Sequence, residues 1–266
     1  MTWHQHNIEF HSPEAANRAL IESIAPALNA AQLDSWWFVR KSPLKLRYRA
    51  AAPATAVTDV LTALVEDGNA TSWCSGIYEP ETKAFGGDRA MDIAHTLFHT
   101  DSHHLPRYAS QPGKLGARET TVLLASALLR GAGQDRFEQG DVWNRLAAQR
   151  RGIDHTLPAD FEKQTQLRDA IAQLMNARTE MLCASGNPLY GFDAWLAAFS
   201  TAGSALAHLA RHGQLQRGLR AVLTHHLIFH ANRAGLSLAD QATIARLASD
   251  SVFAEPLHTN TTEGIQ

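Results

Sequence analysis

Apolar positions follow two spacings in the first 79 residues. Alternation of polar and apolar residues predicts strands at residues 4–11 and 44–50, and two further strands are predicted at 36–40 and 72–78. Helical spacing predicts two helices between them, at residues 13–28 and 55–67. Ser12 is the predicted N-cap of the first helix, because Pro13 after it suits the first helical position. The predicted order β-α-β-β-α-β is that of a ferredoxin-like split βαβ sheet.

Beyond Gly86-Gly87 the apolar spacing is helical almost to the end of the chain. It predicts helices near residues 88–109, 117–131, 138–150, 158–184, 190–212, 214–233 and 238–250. No repeat or low-complexity linker separates the two patterns, so we expect one shared core. The predicted fold class is α+β in a single domain, residues 1–253. An α/β part at 1–86 is followed by a mostly α-helical part at 87–253 and a flexible tail at 254–266.

Composition and charge exclude several classes of protein. The 266 residues are 45% hydrophobic, and 24 Lys and Arg nearly balance 26 Asp and Glu, which excludes a disordered chain and a basic nucleic-acid binder. Apolar runs are too short to span a bilayer, and the first residues lack the regions of a signal peptide. Cys74 and Cys183 form no disulfide framework. We expect a cytoplasmic protein with reduced thiols that binds neither nucleic acid nor membrane.

The third predicted strand carries three cations on one face. Alternate residues of a strand share a face, so Lys45, Arg47 and Arg49 point the same way, about 7 Å apart. Arginine can also hold a carboxylate through two parallel hydrogen bonds. The face is either a solvated sheet surface or a preorganised anion site. A polar face made only of cations is unusual for a solvated surface.

A glycine-containing turn joins the last strand to the first long helix. Tyr78-Glu79-Pro80-Glu81 leads into Phe85, Gly86 and Gly87. Glycine allows close approach of the backbone to a ligand, and a helix N-terminus offers free N–H groups to an anion. Taken alone, the segment is better explained as a simple strand-to-helix turn.

Histidines recur on two predicted helices. His95, His99 and His103 share a face, but no CxxC or HExxH motif accompanies them, so packing or substrate contact is preferred to a metal site. Near the C-terminus, His226 and His230 share a face. The neighbouring Asn232 and Arg233 complete this segment, and an arginine pushes a nearby histidine toward the neutral form that suits a general base. The alternative is a polar helix face near a C-terminus, where cations are favoured.

Together these segments resemble the C-terminal domain of class I lanthipeptide dehydratases, which also occurs as a stand-alone thiopeptide-type bacteriocin biosynthesis protein. The resemblance extends from Trp3 to about Phe253. It rests on the order and spacing of segments 36–40, 46–49, 78–81, 85–87, 101–102, 138–143 and 226–233.

The resemblance implies a glutamate-elimination lyase. In that family a partner domain esterifies Ser or Thr of a ribosomally made precursor peptide with glutamate from glutamyl-tRNA, and for this chain we expect that partner to be a separate tRNA-dependent glutamylating dehydratase subunit. The domain then expels glutamate to leave dehydroalanine or dehydrobutyrine, without metal or cofactor. The family motifs imply Arg47, Arg49 and His230 as catalytic residues, with His226 as the base if the alignment is off by one turn. The implied substrate-binding residues are Lys45, Tyr78, Phe85, Gly86, Gly87, Arg89, His226, Asn232 and Arg233.

One position departs from the family pattern. Many members carry an arginine just before the aromatic-Gly-Gly segment, where this chain has Ala84, and Arg89 could fill the same space. The domain has also been recruited as a four-plus-two cycloaddition enzyme that forms the pyridine of thiopeptides. Such cyclases need not keep the arginine pair, so Arg47 with Arg49 favours elimination. A cyclase and a non-catalytic precursor-peptide-binding protein are the alternatives. We expect the cationic strand and the late helix to meet across a cleft, with segment 85–87 at its rim.

Overall fold

The four predicted strands form one antiparallel sheet in the computed structural model, which describes residues 2–31, 33–111, 113–153 and 160–254. The strands are β1 (Thr2–Glu9), β2 (Ser35–Val39), β3 (Leu44–Ala50) and β4 (Ser72–Gly76). Their order across the sheet is β2-β3-β1-β4. This is the ferredoxin-like order, and the predicted fold class is confirmed. The predicted flexible tail lies, apart from Ala254, outside the described residues.

Three helical segments cover the first face of the sheet. Helix α1 (Pro13–Ala19) continues through a π-helical turn (Leu20–Ile24) into α2 (Ala25–Ala30), and α3 spans Thr55–Glu66. Ser12 caps α1 as predicted, because its hydroxyl accepts a hydrogen bond from the Ala15 amide. The apolar residues of β3, Leu44, Leu46 and Tyr48, join the same buried cluster as these helices. Lys45, Arg47 and Arg49 alternate with them and therefore lie on the second face.

The helical part contains nine helices among the described residues. They are α4 (Thr82–Phe85), α5 (Asp88–Ala109), α6 (Ala117–Gly131), α7 (Arg136–Gln149), α8 (Phe161–Asn176), α9 (Thr179–Leu182), α10 (Asp193–Arg211), α11 (Leu219–Ala234) and α12 (Leu238–Phe253). The single helix predicted at 158–184 is wrong. Ala177 and Arg178 take extended backbone between α8 and α9, and residues 158–159 lie outside the described residues.

Helix α5 closes the β2 edge of the sheet. Two amides of β2 find acceptors on it: the Trp36 amide donates to His99 Nδ1 at 3.2 Å, and the Phe38 amide donates to Ser102 Oγ at 3.3 Å. On the second face, Trp37 packs against Phe98 of α5 with ring centroids 4.8 Å apart. Helix α5 thus covers the second face of the sheet at β2. Strand β3, which carries the cations, is the next strand across the sheet.

One large cluster of buried apolar side chains includes residues of both the α/β part and the helical part. Helices α6 and α10 cross closely within it, because Gly203 lies against the carbonyl of Leu128. A Cβ at Gly203 would come within 2.1 Å of that oxygen. Among the described residues, no helix combines the length and the apolar character needed to cross a membrane.

Candidate functional site

Arg47 occupies an aromatic slot on the second face of the sheet. Its guanidinium carbon lies 4.4 Å from the ring centre of Trp37 and 4.2 Å from that of Tyr78. Its Nε donates to Oε1 of the buried Gln5 at 2.7 Å. Nη1 and Nη2 donate to no acceptor among the described residues and stay open to solvent. Burial lowers the pKa of Arg47 to about 10, so the group is cationic at neutral pH. The slot thus fixes a cation with two unused donor groups.

Tyr78 covers Arg47 and is itself fixed by a histidine. The Tyr78 hydroxyl and His95 Nε2 are 2.8 Å apart. Burial lowers the pKa of His95 to about 4; the nearby Asp92 opposes this, and Arg49 and Arg47 add to it. Burial also raises the pKa of Tyr78. At neutral pH the pair is therefore a neutral imidazole and a neutral phenol beside a cation.

The other two cations of β3 are less constrained. Arg49 is 48% exposed and lies 3.8 Å from Asp34, a loose pair at the surface. Lys45 is half-buried and pairs in register with Val39 and Asn7 of the flanking strands. The predicted common face is therefore present, but only Arg47 is held in a defined orientation by its neighbours.

Glu81 and His225 bring the late helix α11 to this face. His225 Nε2 donates to Glu81 Oε2 at 3.0 Å. This hydrogen bond lowers the pKa of Glu81; burial opposes the shift, while His225, Lys41 and Arg47 act electrostatically in the same direction as the hydrogen bond. No described residue donates to His225 Nδ1, and the side chain is 18% exposed. The ionised Glu81 therefore orients an imidazole whose other nitrogen is available. We call Arg47, Tyr78, Glu81, His95 and His225 the sheet-face site.

His230 lies in a buried network instead. Its Nδ1 donates to Asp101 Oδ2 at 2.9 Å, and its Nε2 is 3.3 Å from Thr121 Oγ1. Arg233 Nε donates to the same Asp101 oxygen at 2.7 Å, and Trp195 Nε1 donates to Asp101 Oδ1 at 2.9 Å. Asp101 and Arg233 are fully buried, and His230 is 2% exposed. None of these groups contacts the residues of the sheet-face site.

His226, the second late histidine proposed from the sequence, is also enclosed. Both of its ring nitrogens are buried without a hydrogen-bond partner among the described residues. Burial lowers its pKa to about 3, and the charge of Arg233 contributes to this shift. Its ring packs edge-on against Phe85, with centroids 4.9 Å apart. Among the three histidines of α11, the one that lies at the sheet-face site is therefore His225.

The segment Phe85-Gly86-Gly87 is buried and does not form an open rim. The Gly86 carbonyl accepts the Gln216 amide at 2.8 Å. A Cβ at Gly86 would lie 2.7 Å from Leu215 Cδ1, and Gly86 has a φ of +93°, which also favours glycine. The glycines therefore allow residues 215–216 of the same chain to approach the backbone closely at this point.

The remaining predicted binding residues have partners within the protein. Arg89 is exposed and donates to Gln214, and Asn232 accepts from Gln241 Nε2 at 3.0 Å. The residue that reaches Ala84 is Arg217, whose Nη1 donates to the Ala84 carbonyl at 2.6 Å. Arg217, which the sequence did not indicate, is thus the cation beside the position where many family members carry an arginine.

The three helix α5 histidines have separate partners. His99 Nδ1 lies between the backbone amide and carbonyl of Trp36, and His103 Nδ1 is 3.3 Å from Asn29 Oδ1. His95 belongs to Tyr78, as described above. Within the part of the chain that the structure describes, no group of three or more His, Cys, Asp or Glu side chains could hold a metal ion.

The fold and this cluster of fixed cations, histidines and aromatic rings agree with a family of peptide-modifying proteins. The pattern of the family described as "Lantibiotic biosynthesis dehydratase C-term" matches residues 3–252. The match covers nearly the whole chain, so the chain belongs to this family, and the resemblance inferred from its segments is confirmed. The family assigns the chain to the biosynthesis of ribosomally made peptide natural products. No curated protein matches the chain.

Three solved structures share the fold. The tRNA-dependent lantibiotic dehydratase MibB from Microbispora sp. 107891 has a TM-score of 0.71 and 18% identity, over 94% of this chain and 28% of that one. TsrL has a TM-score of 0.61 and 15% identity, over 94% of each chain. TbtD, the pyridine synthase from thiomuracin biosynthesis, has a TM-score of 0.64 and 15% identity, over 95% of this chain and 98% of that one. The chain therefore spans less than a third of MibB.

Proposed function

We propose that the chain is a glutamate-elimination lyase that acts on glutamylated Ser or Thr of a precursor peptide. The observation that carries the proposal is Arg47, a fixed cation with two free amino groups on the same face as the His95–Tyr78 pair and the His225–Glu81 pair. The reaction removes the α-proton, forms the Cα–Cβ double bond and breaks the Cβ–O bond. Glutamate leaves through its γ-carboxylate, and the product is dehydroalanine or dehydrobutyrine.

Negative charge develops at two places in this reaction. Proton loss beside a peptide carbonyl creates an enolate, and departure of glutamate creates a carboxylate. Arg47 can donate both free amino groups to one carboxylate, because a guanidinium matches a carboxylate in geometry. A donor fixed before the reaction stabilises the developing charge without reorganisation. Arg49 supplies a second, more mobile cation on the same face. No step needs a metal or cofactor.

We propose His225 as the base, in place of the predicted His230. The Glu81 carboxylate holds Nε2–H of His225, so Nδ1 carries the lone pair and can accept the α-proton. The predicted His230 uses Nδ1 to bond Asp101, and its Nε2 lies beside Thr121 in the interior. The proton taken by His225 can be returned to solvent, since this side chain is partly exposed.

Replacing His225 by glutamine is expected to slow glutamate release by roughly 10²- to 10⁴-fold, the contribution of a positioned general base. The measurement is the release rate from a purified glutamylated peptide, followed by mass spectrometry. With substrate deuterated at the α-carbon, the variant should show a larger isotope effect, because proton removal becomes slower. The matched control is His230→Gln, which should lower the melting temperature and leave turnover of the folded fraction near the parent value. If His230→Gln instead slows glutamate release and His225→Gln does not, the base is His230 and not His225.

We propose two partners: the precursor peptide, with a leader and a glutamylated core, and the protein that makes the glutamyl ester. MibB is a tRNA-dependent dehydratase, and the present chain corresponds to 28% of it. We therefore propose that the esterifying activity belongs to another domain or another polypeptide.

Pyridine synthesis is the second candidate function, and one observation favours it. Trp3 and Tyr78 are both partly exposed and pack edge-on with centroids 5.6 Å apart, and Tyr78 also lies over Arg47. Such a wall can stack on flat dehydrated and heterocyclic residues. The chain also aligns with 98% of the pyridine synthase TbtD. The third candidate is a protein that binds the precursor peptide without modifying it.

One experiment separates the three functions. The protein is incubated with a glutamylated peptide and, separately, with the same peptide carrying two dehydroalanines. Loss of glutamate from the first peptide supports elimination. Conversion of the second, with release of the leader, would instead establish the cyclase. If both peptides bind unchanged, the protein is a binding module and the proposed lyase activity is wrong.

A further inference from the structure

A second cleft lies at the junction of the α/β part and the helical part. It has a volume of about 460 Å³ and is bounded by the β1–α1 junction, the β2–β3 turn and the α11–α12 connection. Its polar lining includes His11, Asn17, Arg40, Lys41 and Asn232. None of these residues belongs to the sheet-face site.

Arg40 in this cleft has no acceptor. It forms no hydrogen bond and no ion pair with any described residue, and its Nε is buried without a partner. The guanidinium carbon lies 5.5 Å from the ring centre of Phe38. Nη1 and Nη2 remain accessible, and Arg40 lines both this cleft and a smaller cavity of about 90 Å³ next to it. An enclosed guanidinium without a partner is costly, because burial removes water from its donors.

The neighbouring acidic groups do not compensate this charge. Asp101 acts electrostatically on Arg40, but that carboxylate already bonds Trp195, His230 and Arg233. Two arginines therefore share one buried carboxylate. Glu9 at the edge of the cleft accepts from Ser42 Oγ at 3.4 Å and is not within ion-pair distance of Arg40. The cleft thus contains an excess of positive charge.

Gly235 lets the Arg40 guanidinium lie close to the backbone where α11 ends. A Cβ at this position would lie 2.9 Å from Arg40 Nη1. Gly235 also has a φ of +80°, at the end of α11, where glycine is preferred. The glycine therefore lets the Arg40 guanidinium pack against the backbone at the end of α11, and a side chain at this position would displace it.

We propose that this cleft is a binding site for the carboxylate of an acidic amino acid, held by Arg40 with Lys41 at its edge. A carboxylate satisfies the two accessible amino groups of Arg40 in parallel and neutralises the unmatched charge. Its source is either free glutamate or an acidic side chain of a bound peptide. The proposal does not depend on the elimination reaction, because none of the sheet-face residues contributes to the cleft.

The test follows the Arg40 side chain directly. Protein labelled with ¹⁵N-arginine shows a separate Nε–Hε signal for each ordered arginine, and the Arg40→Lys variant identifies the signal of Arg40. The titrants are L-glutamate, the capped peptide Ala-Glu-Ala and its Ala-Gln-Ala counterpart, with sodium acetate as the ionic control. We expect a saturable shift with a glutamate carboxylate and none with the glutamine peptide. A shift with L-glutamate alone identifies the free amino acid, and one with the peptide alone identifies a side chain.

Two variants separate this site from the sheet-face site. Arg40→Lys should weaken binding by roughly tenfold or more, measured by the rise of the melting temperature with ligand, because lysine cannot form the bidentate pair. Arg47→Met should bind the same ligand as tightly as the parent. Arg40→Met should not lower the melting temperature, since it removes a charge without a partner, and its melting temperature should rise less with ligand than that of the parent. Asn17→Trp fills the cleft from α1 and should also abolish the shift while Arg40 is intact.

Three results would overturn the proposal. One is the absence of a saturable shift with either glutamate source. Another is an equal shift with acetate, which would mean a solvated arginine that attracts any anion. The third is a saturable shift that survives in Asn17→Trp, which would put the ligand elsewhere. Elimination activity is not measured here, so failure of this site and failure of the proposed lyase are distinguishable.

Discussion

Replacing Arg47 by methionine is expected to reduce glutamate release by about 10²- to 10³-fold, the effect of losing one preorganised donor to a developing negative charge. Arg47 is held by Gln5 and by two aromatic rings, so the loss is not compensated by a neighbouring side chain. Methionine keeps an unbranched apolar stem and should preserve the slot between Trp37 and Tyr78. The measurement is the rate of glutamate release from a glutamylated peptide under single-turnover conditions.

Arg49→Met is the matched control on the same strand. Arg49 is 48% exposed and only loosely paired with Asp34, so its removal should have a much smaller effect on the rate. Arg47→Lys keeps the charge but loses the planar pair of donors. Its rate of glutamate release should therefore lie between those of the parent and Arg47→Met. If Arg47→Met releases glutamate at the parent rate while remaining folded, Arg47 has no part in the reaction and elimination loses its main support.

The sheet was predictable because its signals are local. Alternation in residues 44–50 requires Lys45, Arg47 and Arg49 to share a face, and the structure has this arrangement. The sequence could not tell which of the three is fixed. That depends on Tyr78, which follows another strand and lies over Arg47 because β4 pairs with β1.

The choice among the late histidines could not be made from spacing. Helix α11 is buried on several sides, so its residues show no simple apolar stripe that would identify the inward face. His225 and His226 are adjacent, yet the first contacts Glu81 and the second is enclosed beside Phe85. The partner that distinguishes them, Glu81, is in the turn after β4, far away in sequence. The one signal that the sequence offered for this partner was a carboxylate in the Tyr78–Glu81 turn.

The position of His230 depends on Asp101, whose role the sequence did not reveal. An aspartate in the middle of a helix is usually solvated, and only the tertiary structure brings Trp195, His230 and Arg233 around it. The break between α8 and α9 was missed for a similar reason. Leu174 and Leu182, on either side of the break, still pack against the core, so apolar spacing continues through it.

Asp101→Asn is expected to destabilise the protein by roughly 3–5 kcal/mol, the effect of removing one partner from a buried ion pair. Asp101 accepts from three donors, two of which lie on one oxygen. Asparagine offers a single acceptor oxygen, and its amide nitrogen would face N–H groups. Arg233 would then be a fully buried cation without a counter-charge. Urea unfolding of the two proteins measures the difference, and Asp92→Asn, at an exposed position of the same helix, should change stability little.

The pH dependence of stability gives an independent check on the same group. Burial would raise the pKa of Asp101, but His230 and Arg233 outweigh it and lower the pKa to about 2. Because the folded pKa is below the unfolded value near 3.9, the unfolded chain takes up this proton first as the pH falls. The stabilisation is therefore complete above about pH 4 and is lost between about pH 4 and pH 2, on the order of 2.5 kcal/mol. Asp101→Asn should show a correspondingly flatter profile in this range. If parent and variant lose stability in parallel there, the Asp101 carboxylate does not stabilise the fold through its charge.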